Sequence, residues 1–446
     1  MSKPNIVFII SDDHRHQSLH CAGDKSVRTP NLDALASKGT RFEQTHTMGG
    51  KSAAVCMPSR ASLLAGASVF RCVKENALDP GYVLWPEALR QAGYYSYAIG
   101  KWHNGAEAFY RCFAGGTRIF FGGMNSHYAV PLKEYHPGEK DAPGETYTLH
   151  EHSTDIFTEA AVQFLDEYDR SEPFALYLAY TAPHDPRTAP PEFRSLYHDE
   201  DLPLPPNVLP EHPFDNGEMS VRDEKLEAWP RTPEAVRRHL GDYYAMITHM
   251  DDGIGKVLRK LEERGLMENT IVVYTADHGL AIGQHGLMGK QNMYDHSIRI
   301  PLIMQGPGIP QNRIVTDVHL QMDFYRTLCE LTGTEVPATV EGLSLLPAMH
   351  EKASSQPIRP TVFTAYKDLQ RMVKDERWKL IYYISPDSDR KVRVQLFDLN
   401  KDPWETDDVS GDPLNRGKII ELHRELTEWQ RWVGDSLEVP FYPEEA

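Results

Sequence analysis

The chain has 446 residues, 40% of them hydrophobic and 25% charged, with 47 Lys and Arg against 64 Asp and Glu and a formal charge of −17. This excludes a wholly disordered chain, and it excludes a nucleic-acid binder, which needs a basic footprint. It also obliges an anionic substrate to find a local cationic pocket against the overall field.

Residues 6–10 (IVFII) are β-branched and aromatic without polar alternation, the pattern of a strand buried on both faces of a parallel sheet. A helical pattern over 31–39 ends at Gly39, and another over 84–92 ends at Gly93. Further strands are predicted at 94–99 (YYSYAI), 174–180 (FALYLAY) and 270–275 (TIVVYT), with helices over 153–168 and 235–264. Residues 115–144 read as loop, and the proline-rich stretch 183–233 as an irregular insertion over one end of the sheet. From about residue 355 the character changes to antiparallel strands near 377–383 and 392–399 and a closing helix over 416–432. The expected architecture is α/β, a large mixed, mostly parallel central sheet flanked by helices. Residues 1–354 form its main domain, and 355–446 form a smaller C-terminal α+β subdomain.

Five cysteines without CxxC spacing make no disulfide framework. No apolar run approaches the roughly 20 residues that span a bilayer. A cytoplasmic protein without membrane or nucleic-acid partners is expected; a chain whose export signal had been removed would read the same. Oligomeric state is left open.

Ligands of open α/β sheets bind beyond the carboxyl ends of the strands. Each predicted strand empties into polar chemistry: Asp12 and Asp13; Lys101, His103 and Asn104; His184 and Asp185; Asp277 and His278. Three carboxylates and an imidazole could hold one divalent cation, with hard oxygens favouring Ca²⁺ or Mg²⁺; an Asp-Asp turn without metal fits the same spacing. Residues 55–66 read as a short helix with Cys56 at its N-terminus, where the dipole favours a thiolate, and Arg60 one turn on. A buried, inert cysteine is the plainer alternative.

Cys56, Pro58, Ser59 and Arg60 match the C-x-P-S-R signature of type I sulfatases of the alkaline phosphatase superfamily. The resemblance extends over nearly the whole chain. Residues 4–13 (PNIVFIISDD), 100–103 (GKWH), Pro183-His184, 277–279 (DHG), 286–290 (GLMGK) and 395–406 (QLFDLNKDPWET) follow in the family's order. The resemblance implies that Cys56 is oxidised to formylglycine by a maturation enzyme. One hydroxyl of the hydrated aldehyde would attack sulfur and form a sulfate ester; the other would collapse and expel sulfate. It assigns the cation, Ca²⁺ with Mg²⁺ or Mn²⁺ as alternatives, to Asp12, Asp13, Cys56, Asp277 and His278. Arg60 would stabilise the diolate, Lys101 and Lys290 would neutralise sulfate oxygens, His103 would act as base and His184 as general acid.

Many family members carry Asn after the second metal Asp; His278 is a variant also found in carbohydrate-directed sulfatases. With the K-W-H-N-G form and polar residues Asn104, Asn125, His127, Arg187 and His285 suited to hydroxyls, it points to a sulfated carbohydrate. Asn104 and His285 join Lys101, His184 and Lys290 as expected substrate contacts. A phosphonate monoester or phosphodiester hydrolase on the same scaffold is the competing activity, and a non-catalytic binding protein with unmodified Cys56 the competing class. Two-zinc phosphatase chemistry lacks the ligands for a second metal.

Overall fold

The structure is a computed structural model that describes residues 3–136, 144–350, 357–384 and 392–441. The expected boundary at 354/355 lies outside the described residues.

Strand β1 (Asn5–Ser11) is buried along its whole length. Ile6, Phe8 and Ile10 enter a core with Trp85, Leu89, Phe324 and Leu328. Val7 and Ile9 enter another, with Phe157, Leu165, Met250 and Leu261. Burial on both faces explains the absence of polar alternation, and each such side chain contributes about 1.5–3 kcal/mol.

The other main strands are β2 (Thr40–His46), β3 (Gly49–Gly50), β4 (Tyr95–Lys101), β5 (Gly115–Phe120), β6 (Pro131–Tyr135), β7 (Phe174–Ala179), β8 (Thr270–Ala276) and β9 (Arg299–Gln305). The large sheet runs β2-β9-β8-β1-β7-β4-β5-β6 with short strands at both ends. Pairing is parallel from β8 through β5 and antiparallel at β9 and β6. Helix α1 (Cys56–Ala65) lies in the first core; α2 (Ser153–Glu167) and α3 (Pro233–Glu263) cover the second. The α3 start is set by Pro233 at its first position and by Thr232, whose hydroxyl accepts the Ala235 N–H at 3.2 Å.

Two expectations need correction. Residues 115–144 are not all loop, because they contain β5 and β6. Gly115 and Gly116, read as loop formers, serve close approach: a Cβ on Gly116 would lie 2.8 Å from the Ala98 carbonyl oxygen. The strand expected at 94–99 reaches Lys101, so that lysine ends the strand rather than following it.

A second sheet holds β10 (Val362–Tyr366), β11 (Gln370–Lys374), β12 (Trp378–Ile384) and β13 (Val392–Asp398) in antiparallel order, with β3 alongside β10 at its edge. Helix α4 (Arg416–Val433) packs Ile419, Leu422 and Leu426 on this sheet. A buried ion network joins the sheets. Asp295 accepts from Lys374 and Lys379, each at 2.8 Å, and Lys379 also donates to Glu405. Glu405, from the D-P-W-E-T stretch, accepts the Asp295 N–H at 2.8 Å, so this motif ties the second sheet to the short helix Asp295–Ile298 before β9.

Many histidines are buried and kept neutral. Burial and Arg299 bring His16 down to about 4, and burial brings His285 down to about 3. Unfolded, both titrate near 6.5. Between pH 6.5 and 4 the unfolded chain therefore binds more protons, and stability is lost as pH falls. Asp251 and Asp277, pushed up by burial to about 6 and about 7, act with the opposite sign but are outnumbered. The thermal midpoint should therefore drop steadily from pH 7 to pH 5, measured by differential scanning fluorimetry; a constant or rising midpoint would contradict these neutral imidazoles.

Candidate active site

The strand order places β8, β1, β7 and β4 side by side, so their carboxyl ends form one row. Asp277 and His278 follow β8, Asp12 and Asp13 follow β1, His184 follows β7, and Lys101 ends β4 with His103 just beyond. Ladder-like bonds continue past the strands: the Asp12 N–H donates to Ala182 O at 3.1 Å, and the Asp277 N–H to Ser11 O at 3.2 Å. Asp13 and His103 have φ of 68° and 62°, turning their side chains sharply out of the strand direction.

Cys56 is the first residue of α1 and is buried. Its Sγ lies 3.0 Å from His278 Nε2 and 3.5 Å from Lys290 Nζ. One turn along, Arg60 Nε donates to Asp277 Oδ2 at 2.9 Å, and both groups are fully buried. Lys290 donates to Asp13 Oδ1 at 2.8 Å, and Lys101 pairs with Asp12. His278 Nδ1 is 3.2 Å and His184 Nε2 3.8 Å from Asp13 carboxylate oxygens. The structure thus gathers Asp12, Asp13, Cys56, Arg60, Lys101, His184, Asp277, His278 and Lys290 around one centre.

Charge is tuned within it. Burial raises the Cys56 thiol, but Lys290 and His278 outweigh this and hold it well below its usual value. Burial opposes the charged form of His278, yet Asp277 and Cys56 push it up to about 10, so its Nε2–H faces a thiolate. Against burial, Asp13 raises His184 to about 9. Burial and Lys101 lower His103 to about 4. The cluster therefore holds two protonated imidazoles, His184 and His278, and one neutral one, His103, so both an acid and a base are present at neutral pH.

Two overlapping sets place candidate ligand atoms within 4.8 Å of one another: Asp12, Asp13, Cys56 and His184, and Asp12, Cys56, Asp277 and His278. Among the described residues Asp12 Oδ1 is buried without a hydrogen-bond partner, which leaves a hard donor available. These donors fit one divalent cation.

The flanking residues divide. Among the described residues, buried Asn104 has its Oδ1 unpartnered, and His103 likewise has a buried Nδ1 without partner. His285 is placed differently from the expectation: its ring stacks on Tyr294 at 3.7 Å, its Nε2 faces Asn207 at 3.2 Å, and none of these contacts is with the cluster. Asn125 is exposed and its Oδ1 accepts its neighbour's N–H at 2.7 Å.

Sequence reasoning missed two supports. Ser59 donates to Asp277 O and accepts from Gln321 Nε2 at 2.7 Å, pinning the strand end to α1. His127 Nε2 lies 2.8 Å from His184 O, and its Nδ1 lies 2.9 Å from Ser153 Oγ. A serine inside a buried helix was the available signal for Ser59; His127, read as suited to substrate hydroxyls, instead has its ring on the His184 carbonyl, 57 residues away.

A family model described as "Sulfatase" matches residues 4–334, and one described as "N-sulphoglucosamine sulphohydrolase, C-terminal" matches 283–432. An N-acetylglucosamine-6-O-sulfatase of Bacteroides thetaiotaomicron is 26% identical over 97% of this chain and 87% of its own. An arylsulfatase of Clostridium perfringens is 28% identical over 95% and 94%. A protein solved in complex with its substrate D-glucosamine-2-N,6-O-disulfate shares the fold with a TM-score of 0.83, at 24% identity over 99% of this chain and 100% of that one. The phosphonate monoester hydrolase of Agrobacterium radiobacter also shares the fold, with a TM-score of 0.77 at 21% identity over 97% and 96%. With a thiolate, acids, lysines and imidazoles gathered at the strand ends and the match spanning most of its length, the chain belongs to the sulfatase family of the alkaline phosphatase superfamily and is a sulfuric ester hydrolase.

Proposed function

We propose that the protein removes sulfate from a sulfated carbohydrate, using Cys56 matured to formylglycine and one Ca²⁺ held by Asp12, Asp13, Asp277, His278 and residue 56. The observation that carries this reading is the convergence of Cys56 Sγ with His278 and Lys290 at 3.0 and 3.5 Å beside the three carboxylates. The named N-acetylglucosamine-6-O-sulfatase relative supports a saccharide substrate.

The matured residue supplies a geminal diol as nucleophile, and the cation supplies charge for a sulfate oxygen. Lys101 and Lys290 give the cationic pocket that the acidic surface demands, binding sulfate oxygens as charge builds on them. Arg60, fixed by Asp277, keeps positive charge behind residue 56. His184, held protonated beside Asp13, donates a proton to the departing sugar oxygen. His103, held neutral, accepts a proton from the diol.

The test compares kcat/KM on 6-sulfated N-acetylglucosamine, p-nitrophenyl sulfate and a phenyl phosphonate ester, using chain whose residue 56 is verified as formylglycine by mass spectrometry. The saccharide sulfate is expected to be the best substrate. A dominant rate on the phosphonate would overturn the sulfate-ester reading, and a dominant rate on p-nitrophenyl sulfate would overturn the carbohydrate assignment.

A further inference from the structure

Arg187 lies three residues beyond His184, in the proline-rich insertion. Its Nη1 is 3.0 Å from His239 Nδ1, on α3. Its Nε and Nη2 are buried and meet no acceptor among the described residues, and it makes no ion pair with any of them. Those two atoms form the side-on edge of the guanidinium, the edge that takes a carboxylate or sulfate through two parallel bonds. Buried donors are seldom left without an acceptor, so the arrangement calls for one. The loop carrying Arg187 borders the cluster, because His184, three residues earlier, has its Nε2 3.8 Å from the Asp13 carboxylate.

A second arginine binds the same loop, through Asp185. Asp185 Oδ2 accepts from both terminal nitrogens of Arg222, whose side chain is 46% exposed. Arg222 Nη1 is also 2.8 Å from Met124 Sδ, a weak acceptor on a flexible, 47% exposed side chain that a better acceptor would displace. The adjacent Asp223 accepts from Gln291, next to Lys290, at 2.8 Å. Residues 222 and 223 thereby bridge the loop carrying His184 and Arg187 to the loop carrying Lys290.

We propose that Arg187, supported by Arg222, forms a second anion subsite beside the sulfate pocket, so that the preferred substrate carries another sulfate or a carboxylate close to the scissile ester. This rests on the sulfatase reading of the pocket itself. The site is thus selective for multiply charged saccharides, and the overall −17 charge discriminates against anions that engage only one of the two pockets.

Three substrates separate the sources of the second charge: a monosulfated N-acetylglucosamine, the same sugar with a second sulfate, and the same sugar linked to a uronic acid. For wild-type enzyme, kcat/KM on one doubly charged substrate should exceed that on the monosulfate by about tenfold or more; which one identifies the second group. In Arg187→Gln that ratio should collapse toward one, and Arg187→Lys should restore only part of it, because lysine keeps the charge but lacks the fork. A wild-type ratio near one, or a loss in Arg187→Gln that is equal on all substrates, overturns the subsite. If verified formylglycine enzyme hydrolyses none of the three, the sulfatase reading fails instead. Calorimetric titration with the disulfated sugar then decides the subsite: weaker binding by Arg187→Gln sustains it, and equal binding ends it.

Discussion

Cys56→Ala should abolish sulfate release, with kcat/KM falling by at least about 10⁴, as expected when a nucleophile is removed from a site whose other members stay in place. Lys290 and His278 still face the position, but neither can supply an oxygen nucleophile that collapses after transfer. The fold should survive. Cys56 opens α1 rather than filling its centre, and the apolar anchors of that helix are Ala61, Leu63 and Leu64. A thermal midpoint within a few degrees of wild type is expected, since one small side chain is a small fraction of the unfolding enthalpy. The peptide containing residue 56 supplies an independent check. In active wild-type preparations it should be lighter than the cysteine sequence predicts, and the activity of separate preparations should scale with the modified fraction. Turnover by Cys56→Ala, or full activity in chain bearing only thiol, would remove the nucleophile assignment.

The parts of this site legible in the sequence were those set by local rules. A strand buried on both faces shows itself as an unbroken apolar run, and the residues after it are on the ligand side by topology. That is why Asp12, Asp13, His184, Asp277 and His278 could be named before any contact was known. Strand β9 escaped because Pro301 and Arg299 argue against a central strand; there it pairs antiparallel between β8 and β2. Strand β5 escaped because its glycines read as loop when their use is close backbone approach. His285 was grouped with the site as a polar residue suited to hydroxyls, yet its ring is committed to Tyr294. Arg187 was visible as a polar loop residue, but an unpaired guanidinium edge is a tertiary fact that no spacing reveals.

Asp277→Asn should cost both activity and the response to metal. Adding Ca²⁺ to chelator-treated wild-type protein should raise the thermal midpoint. Binding at about 100 times Kd contributes about 2.7 kcal/mol, which for an unfolding entropy of about 2.1 cal/mol/K per residue corresponds to roughly 3 °C in a chain of this length. The absolute midpoint of Asp277→Asn is a poor measure, because the substitution also strips the fully buried Arg60 of its charged partner, a change that costs about 3–5 kcal/mol by itself. The Ca²⁺-induced shift separates the two effects. It should vanish in Asp277→Asn, while Lys101→Met, which removes no candidate ligand, should retain it. Sulfate release in Asp277→Asn should fall by about 10²–10³, since an electrostatic group aimed at developing charge is worth about that much. An unchanged shift in Asp277→Asn would mean that the cation, if it binds, is held elsewhere. A shift lost equally in Lys101→Met would mean that the gathered acids respond to charge in general and not to coordination. The distinction matters because both lysines at the centre already pair with carboxylates: a divalent ion bound by those same acids would leave the ammonium groups free to face sulfate, making metal binding and substrate capture one coupled event.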